Sequence, residues 1–181
     1  MPRYIAFLRA INVGGHIVKM GALKEIFVSL GYSDVETFIA SGNVIFRSPA
    51  KDSAALETKI ESRLARELGY EVKTFIRSDA EVGDVARREP FSAGAGATLY
   101  VGFLRTEPER AAAERLNSLQ TDIDDLTVIG RELYWQCRVA SSESKLSGAK
   151  LEKTLGMATT LRNVNTVRRL AAKYPAAADR S

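Results

Sequence analysis

Apolar positions along the chain alternate between strand-like runs and helical spacings, and the order in which they do so repeats. Residues 3–11 are almost continuously apolar, as expected of a strand covered on both faces. A glycine-containing loop leads into residues 20–30, where Leu23, Ile26, Phe27 and Leu30 recur at helical spacing and Gly31 is placed to close the helix. Residues 35–40 and 43–46 read as two strands joined through Ser41-Gly42, a hairpin turn. Leu56, Ile60, Leu64 and Leu68 mark a second helix ending at Gly69, and residues 71–77 form a further strand. This order, βαββαβ, is that of a ferredoxin-like unit.

Residues 79–97 then read as a connector, punctuated by Pro90 and the small-residue run 92–97. Beyond it the opening strand returns. Tyr4-Ile5-Ala6-Phe7-Leu8-Arg9 and Tyr100-Val101-Gly102-Phe103-Leu104-Arg105 share their Tyr, Phe, Leu and Arg. The same succession follows: a helix over 108–119 with Thr106 as its N-cap and Glu107 and Glu109 in its first turn, a strand near 126–129, a turn at Gly130-Arg131, and a strand over 132–138. After Gly156, Thr159 or Thr160 is expected to cap a helix whose Leu161, Val164, Val167, Leu170, Ala171 and Tyr174 form an apolar stripe. Arg162, Thr166, Arg169 and Lys173 would share its other face. The expected fold is α+β, with two related ferredoxin-like (split βαβ) halves packed into one compact unit. Residues 1–78 form the first half, 79–97 the connector, and 98–181 the second half with its basic C-terminal helices.

Composition removes several chemistries. With one cysteine, Cys137, and one histidine, His16, the chain lacks the four Cys or His ligands of a structural zinc site and the second thiol of a disulfide. Cys137 closes the alternation Leu133-Trp135-Cys137 and reads as an inert core residue. Asp122, Asp124 and Asp125 lack the spacing of a calcium loop and read as a solvated strand edge. No apolar run reaches the roughly 20 residues that cross a bilayer, so no membrane is expected and the protein is placed in the cytoplasm. Net charge is +4, unevenly spread: residues 1–47 carry +2, 48–137 carry −4 and 138–181 carry +6. The basic end suits an anionic partner. Opening strands apolar on both faces argue against an open base-stacking sheet, and residues 43–47 lack the RNA-recognition pattern.

The two halves differ most after their first strand. In the second half the helix follows almost at once, and Glu107 and Glu109 neutralise its positive end. In the first, residues 12–19, ending in Lys19, are inserted, and the turn that follows, residues 20–24, has Lys24 but no carboxylate. Gly14-Gly15 allows the backbone to aim N–H groups at an anion, with Lys19 and His16 closing around it. The segment fits neither a P-loop nor a dinucleotide fingerprint, and a plain chain-turning role for Gly14-Gly15 stays open beside the binding one. Candidate ligand-binding residues are Asn12, Gly14, Gly15, His16, Lys19, Ser41 and Asn43, assisted by Arg162 and Asn163.

The run FLRAINVGGHIVKM at 7–20, the Leu30-Gly31 close and the segment TFIASGNVIF at 37–46 together resemble the domain-of-unknown-function 1697 family (DUF1697). The run TLRNVNTV at 160–167 is similar to that family's other signature. The resemblance implies a duplicated ferredoxin-like architecture and brings no assigned activity, catalytic residue or cofactor. The expected function is binding of a small anionic ligand, phosphorylated or nucleotide-like, at the Gly14–Lys19 loop. Two alternatives stand beside it: a small enzyme using His16 or Lys19 on a phosphorylated or carboxylated metabolite, and a nucleic-acid-binding module using the basic C-terminal helix.

Overall fold

The computed structural model describes residues 1–12, 14–40, 42–92 and 94–177. The chain divides into two compact units, one comprising Met1–Gly83 with the segment from Tyr174, the other Asp84–Lys173.

The first unit runs β1 (Arg3–Leu8), α1 (Met20–Ser29), β2 (Ser33–Thr37), β3 (Asn43–Arg47), α2 (Ser53–Leu68) and β4 (Thr74–Ser78). Its antiparallel sheet has the order β2-β3-β1-β4. Successive side chains of a strand point to opposite faces. On one face Tyr4, Ala6, Leu8, Val44, Phe46 and Ile76 pack with Leu23 and Phe27 of α1 and Leu56, Ile60 and Leu64 of α2. Ile5 and Phe7, which point the other way along β1, are equally buried, as the two-sided apolar run predicts.

The second unit repeats this order with β5 (Thr98–Phe103), α4 (Arg110–Asn117), β6 (Asp124–Ile129), β7 (Glu132–Cys137), α5 (Gly148–Leu155) and β8 (Thr160–Asn163), and in both copies the last strand runs directly into a helix, α3 (Asp79–Arg87) after β4 and α6 (Val164–Lys173) after β8. The sheet order is β6-β7-β5-β8, matching the first. Leu133, Trp135 and Cys137 lie in a core with Leu116 of α4 and Leu151 and Leu155 of α5. Cys137 is fully buried, and burial pushes its thiol up from the usual value, which keeps it protonated and inert.

Three expectations are corrected. Residues 79–87 of the connector are a helix, α3 (Asp79–Arg87), not a loop. Its start is a capping box: Glu81 N donates to Ser78 Oγ at 3.2 Å while Glu81 Oε2 accepts from Ser78 N at 2.7 Å. Residues 160–163 are a strand, and α6 begins only at Val164, opened by Asn163 Oδ1, which accepts from Asn165 N at 2.9 Å. Finally, α4 starts at Arg110 with Glu109, not Thr106, at the N-cap. The backbone of the four-residue β8 is pulled into the sheet by pairing with β5, which overrides the helical periodicity continuing from α6.

The registers make the duplication specific. Arg77 lies opposite Ile5, and Arg162 lies opposite Val101, the equivalent residue in the repeated strand. Each guanidinium is buried, and each donates through Nη1 to the carbonyl of the preceding residue, Ile76 at 2.9 Å and Leu161 at 3.0 Å. Each edge strand is also met by a helical glutamate: Glu61 accepts from Thr74 N at 2.8 Å, and Glu152 from Thr159 N at 3.0 Å. An edge-strand N–H buried without a partner would cost about 1–3 kcal/mol, so these carboxylates complete the sheet margin.

Candidate functional site

The loop between β1 and α1 is held by side chains at three points. Asn12 is the clasp: its Oδ1 accepts from Val18 N at 2.9 Å, closing the loop, and its Nδ2 donates to Ala40 O at 3.3 Å. His16 stacks on Tyr70, ring centroids 4.2 Å apart and 25° between planes, and Tyr70 Oη donates to Ile11 O at 2.8 Å. Buried Ile11 and Val18 anchor the two ends. Gly14 and Gly15 stand exposed between these points at φ +65° and +81°, where a side chain would strain the backbone.

Lys19 occupies the N-cap position of α1 with extended backbone, φ −67° and ψ 139°, and its carbonyl accepts the first helical bond from Leu23 N at 3.0 Å. No side chain caps the helix, and no acid lies in its first turn. Elsewhere Asp52 opens α2 and Ser147 opens α5, each accepting a first-turn amide, as do Ser78 and Asn163 for α3 and α6. Among the described α-helices, the other without a side-chain cap is α4, the counterpart of α1. There Glu109 stands at the N-cap, so the charge favoured by the helix dipole is supplied even without a bond. At α1 the same position holds a cation.

The remaining candidate residues are placed differently. Asn43 is fully buried at the start of β3, where its Nδ2 donates to Phe38 O at 2.9 Å and clamps the hairpin. Ser41 lies outside the described residues. Arg162 and Asn163 belong to the second unit. Because 162 is a strand position, the expected basic helical face loses it: Arg162 is buried, also bonds Thr160 Oγ1 at 2.8 Å, and is pulled by burial down to about 10, so it stays charged at neutral pH. Arg169 and Lys173 remain exposed on α6. Sequence reasoning missed Tyr70, which carries no motif and lies about 50 residues from the histidine it supports.

Of the acidic triplet only Asp122 is exposed as a solvated edge would be. Asp124 is 1 % exposed and accepts from Trp135 Nε1 at 2.8 Å, Ser144 Oγ at 2.9 Å and Thr121 Oγ1 at 3.0 Å. Burial alone would raise its pKa, but these bonds, with one from Cys137, outweigh it and hold the carboxyl below the usual range. Asp125 pairs with Arg138. Both carboxylates are therefore structural. Among the described residues no helix is long and apolar enough to cross a membrane.

Comparison with known proteins places this arrangement in context. A solved structure of a conserved bacterial protein, SP0830 from Streptococcus pneumoniae, superposes with a TM-score of 0.75 at 25% identity, over 97% of this chain and 99% of that one. No curated protein matches. The family described as "Protein of unknown function (DUF1697)" matches residues 1–134, which include the whole β1–α1 loop and stop short of the 160–167 run. With about three quarters of its length so matched, and two four-stranded halves of the expected kind, the chain belongs to the DUF1697 family.

Proposed function

We propose that the protein binds a small phosphorylated or nucleotide-like anion at the Gly14–Lys19 loop and the N-terminus of α1. The observation that carries this reading is the bare opening of α1. Its first-turn amides meet no accepting side chain, and the residue at its N-cap is a lysine, whereas its counterpart α4 has Glu109 there. A helix N-terminus bears about half a positive elementary charge, so a lysine at that point is unfavourable to the fold by itself and becomes favourable when an anion sits between the two.

The loop around it is fixed where an anion site needs rigidity and open where it needs access. Asn12 and the His16–Tyr70 stack hold its ends. Gly14, Gly15 and Lys19 are exposed, and their amides bond to no described residue. Successive backbone amides in a turn form a concavity suited to phosphate oxygens.

Titration of inorganic phosphate and a nucleoside monophosphate into isotopically labelled protein tests the reading. The amide resonances of Gly14, Gly15, Lys19 and Met20 should move together, with one dissociation constant near the millimolar range that one phosphate and a few amides provide, about −4 kcal/mol. Unmoved amides at saturating phosphate overturn it.

A further inference from the structure

The second unit contains a cavity of about 220 Å³ that lies outside the loop just described. Its floor is the face of the sheet opposite the α4–α5 core, where Leu99 of β5 stands beside Gln136 of β7, and one wall is the start of α6 with Asn163 and Arg168. The remaining wall is the segment after α3, which contributes Glu89 and Phe91.

That segment is tied to the sheet at both ends. Arg88 Nη1 donates to Glu132 Oε2 at 3.0 Å and to Tyr134 Oη at 3.2 Å, and Gln136 Nε2 donates to Ser92 O at 3.4 Å. Glu132, Tyr134 and Gln136 alternate along β7, so one strand face fixes the wall. Gln136 itself is 6 % exposed, and its Nε2 also donates to Asp125 Oδ2 at 3.2 Å. With the amide nitrogen fully used, the carboxamide is held in one orientation and its Oε1 is left as an acceptor. Asn163 shows the converse arrangement: its Oδ1 caps α6, leaving Nδ2 as a donor.

Two opposite charges line this preformed space without meeting. Glu89 and Arg168 form no ion pair with each other, and neither makes a hydrogen bond or ion pair with another described residue. A carboxylate and a guanidinium kept apart in one small concavity are complementary to a ligand carrying both charges. The volume equals about seven waters at roughly 30 Å³ each, below the roughly 300–1,000 Å³ of sites for drug-sized molecules. We infer that this cavity binds a free α-amino acid as its zwitterion. The ligand carboxylate bonds the Arg168 fork, aided by Asn163 Nδ2. The ammonium bonds Glu89 and Gln136 Oε1, and Phe91 and Leu99 cover the side chain.

Calorimetric titration of the full chain with each proteinogenic L-amino acid tests this, together with two single-charge analogues, propionate and propylamine. At least one amino acid should bind at millimolar or better affinity, with both analogues about tenfold weaker or worse. Arg168→Gln and Glu89→Gln replace exposed, unpaired side chains, so both variants should keep the wild-type unfolding transition. Each should weaken the amino acid about tenfold or more. Glu89→Gln should leave propionate binding unchanged, while Arg168→Gln abolishes it. The inference is overturned if no amino acid binds, if inorganic phosphate or propionate matches the best amino acid, or if neither variant changes its affinity. Because the cavity and the Gly14–Lys19 loop lie in different units, Lys19→Ala should leave amino-acid binding intact, and the two sites stand or fall separately.

Discussion

Replacing Lys19 by aspartate sets stability against binding at one position. Lys19 already has the extended N-cap backbone, and its carbonyl already accepts from Leu23 N at 3.0 Å, so an aspartate there needs only a side-chain rotamer to accept a first-turn amide. An N-cap bond is worth about 1 kcal/mol, and exchanging an unfavourable for a favourable charge at the helix dipole adds several tenths, about 1.5 kcal/mol in all. For a chain of this length that raises the melting temperature by about 4 °C. The assay is thermal unfolding followed by circular dichroism in phosphate-free buffer and again in rising phosphate. Wild type should start lower and climb with phosphate, by about 1.4 kcal/mol at ten times the dissociation constant. Lys19→Asp should start higher and stay flat, while Lys19→Gln, which removes the charge but supplies only a weak cap, should gain a smaller fraction. A Lys19→Asp variant no more stable than wild type would mean that the α1 amides already have partners. A stabilised variant that still responds to phosphate like wild type would mean that the anion binds elsewhere. Either result refutes the reasoning.

Three other perturbations probe the frame. Asp124→Asn should cost about 2–3 kcal/mol at pH 7, because a carboxylate accepting side-chain bonds from Trp135, Ser144, Thr121 and Cys137 is replaced by a group that offers a donor to donors. The folded-state pKa of Asp124 lies below that of the unfolded chain, so its contribution is complete above about pH 4 and fades as pH falls through the folded value. Urea unfolding of the two proteins should therefore converge on acidification. Gly102→Ala should destabilise by about 1–3 kcal/mol in urea unfolding, since its Cβ would fall 2.8 Å from Thr159 Oγ1 and 3.3 Å from Leu133 Cβ. Phe27→Ala, which empties a fully buried site between Tyr32 and Phe46, should cost about 3–5 kcal/mol by the same measurement.

The first unit was legible because its signals agree. Leu23, Ile26 and Phe27 are all buried on α1, Gly69 closes α2 at φ 80°, and Gly42 turns the hairpin at the same φ. Errors arose where local and tertiary preferences part. The short β8 has Val164, Val167 and Leu170 behind it at helical spacing, and extending that stripe backward through Leu161 puts a strand into a helix. Only the pairing of residues 160–163 with β5 decides otherwise, and pairing is a non-local fact. The helix α3 is a different kind of miss. Ser78-Asp79-Ala80-Glu81 spells out a capping box before Val82 and Val85, so the signal was present but lay just ahead of Pro90 and the small-residue run 92–97, which set the reading of the whole stretch as a connector. At the loop, the glycine pair and Lys19 were visible as a motif, whereas the clasping role of Asn12 and the clamping role of Asn43 depend on Ala40 and Phe38 carbonyls brought close by the fold.

A duplicated fold also separates frame from function. Features that recur at equivalent positions, the Tyr-Phe-Leu-Arg strand, the buried Arg77 and Arg162 and the glutamates on Thr74 and Thr159, serve what both halves need: a closed sheet margin and a satisfied interior. Their recurrence is accounted for by folding alone, so Arg162, a candidate for ligand binding when seen as a lone basic residue, becomes a framework residue once its twin at 77 is recognised. Ligand chemistry is to be sought where the copies diverge. They diverge at the first loop, where one copy inserts residues 12–19 and places Lys19 where the other has Glu109. They diverge again before β5, where the segment from Glu89 has no counterpart ahead of β1 and forms one wall of the Glu89–Arg168 cavity. Neither the cation on a bare helix start nor the unpaired charges in the cavity stabilise the folded chain by themselves. At each, the ligand we propose would supply the opposite charge.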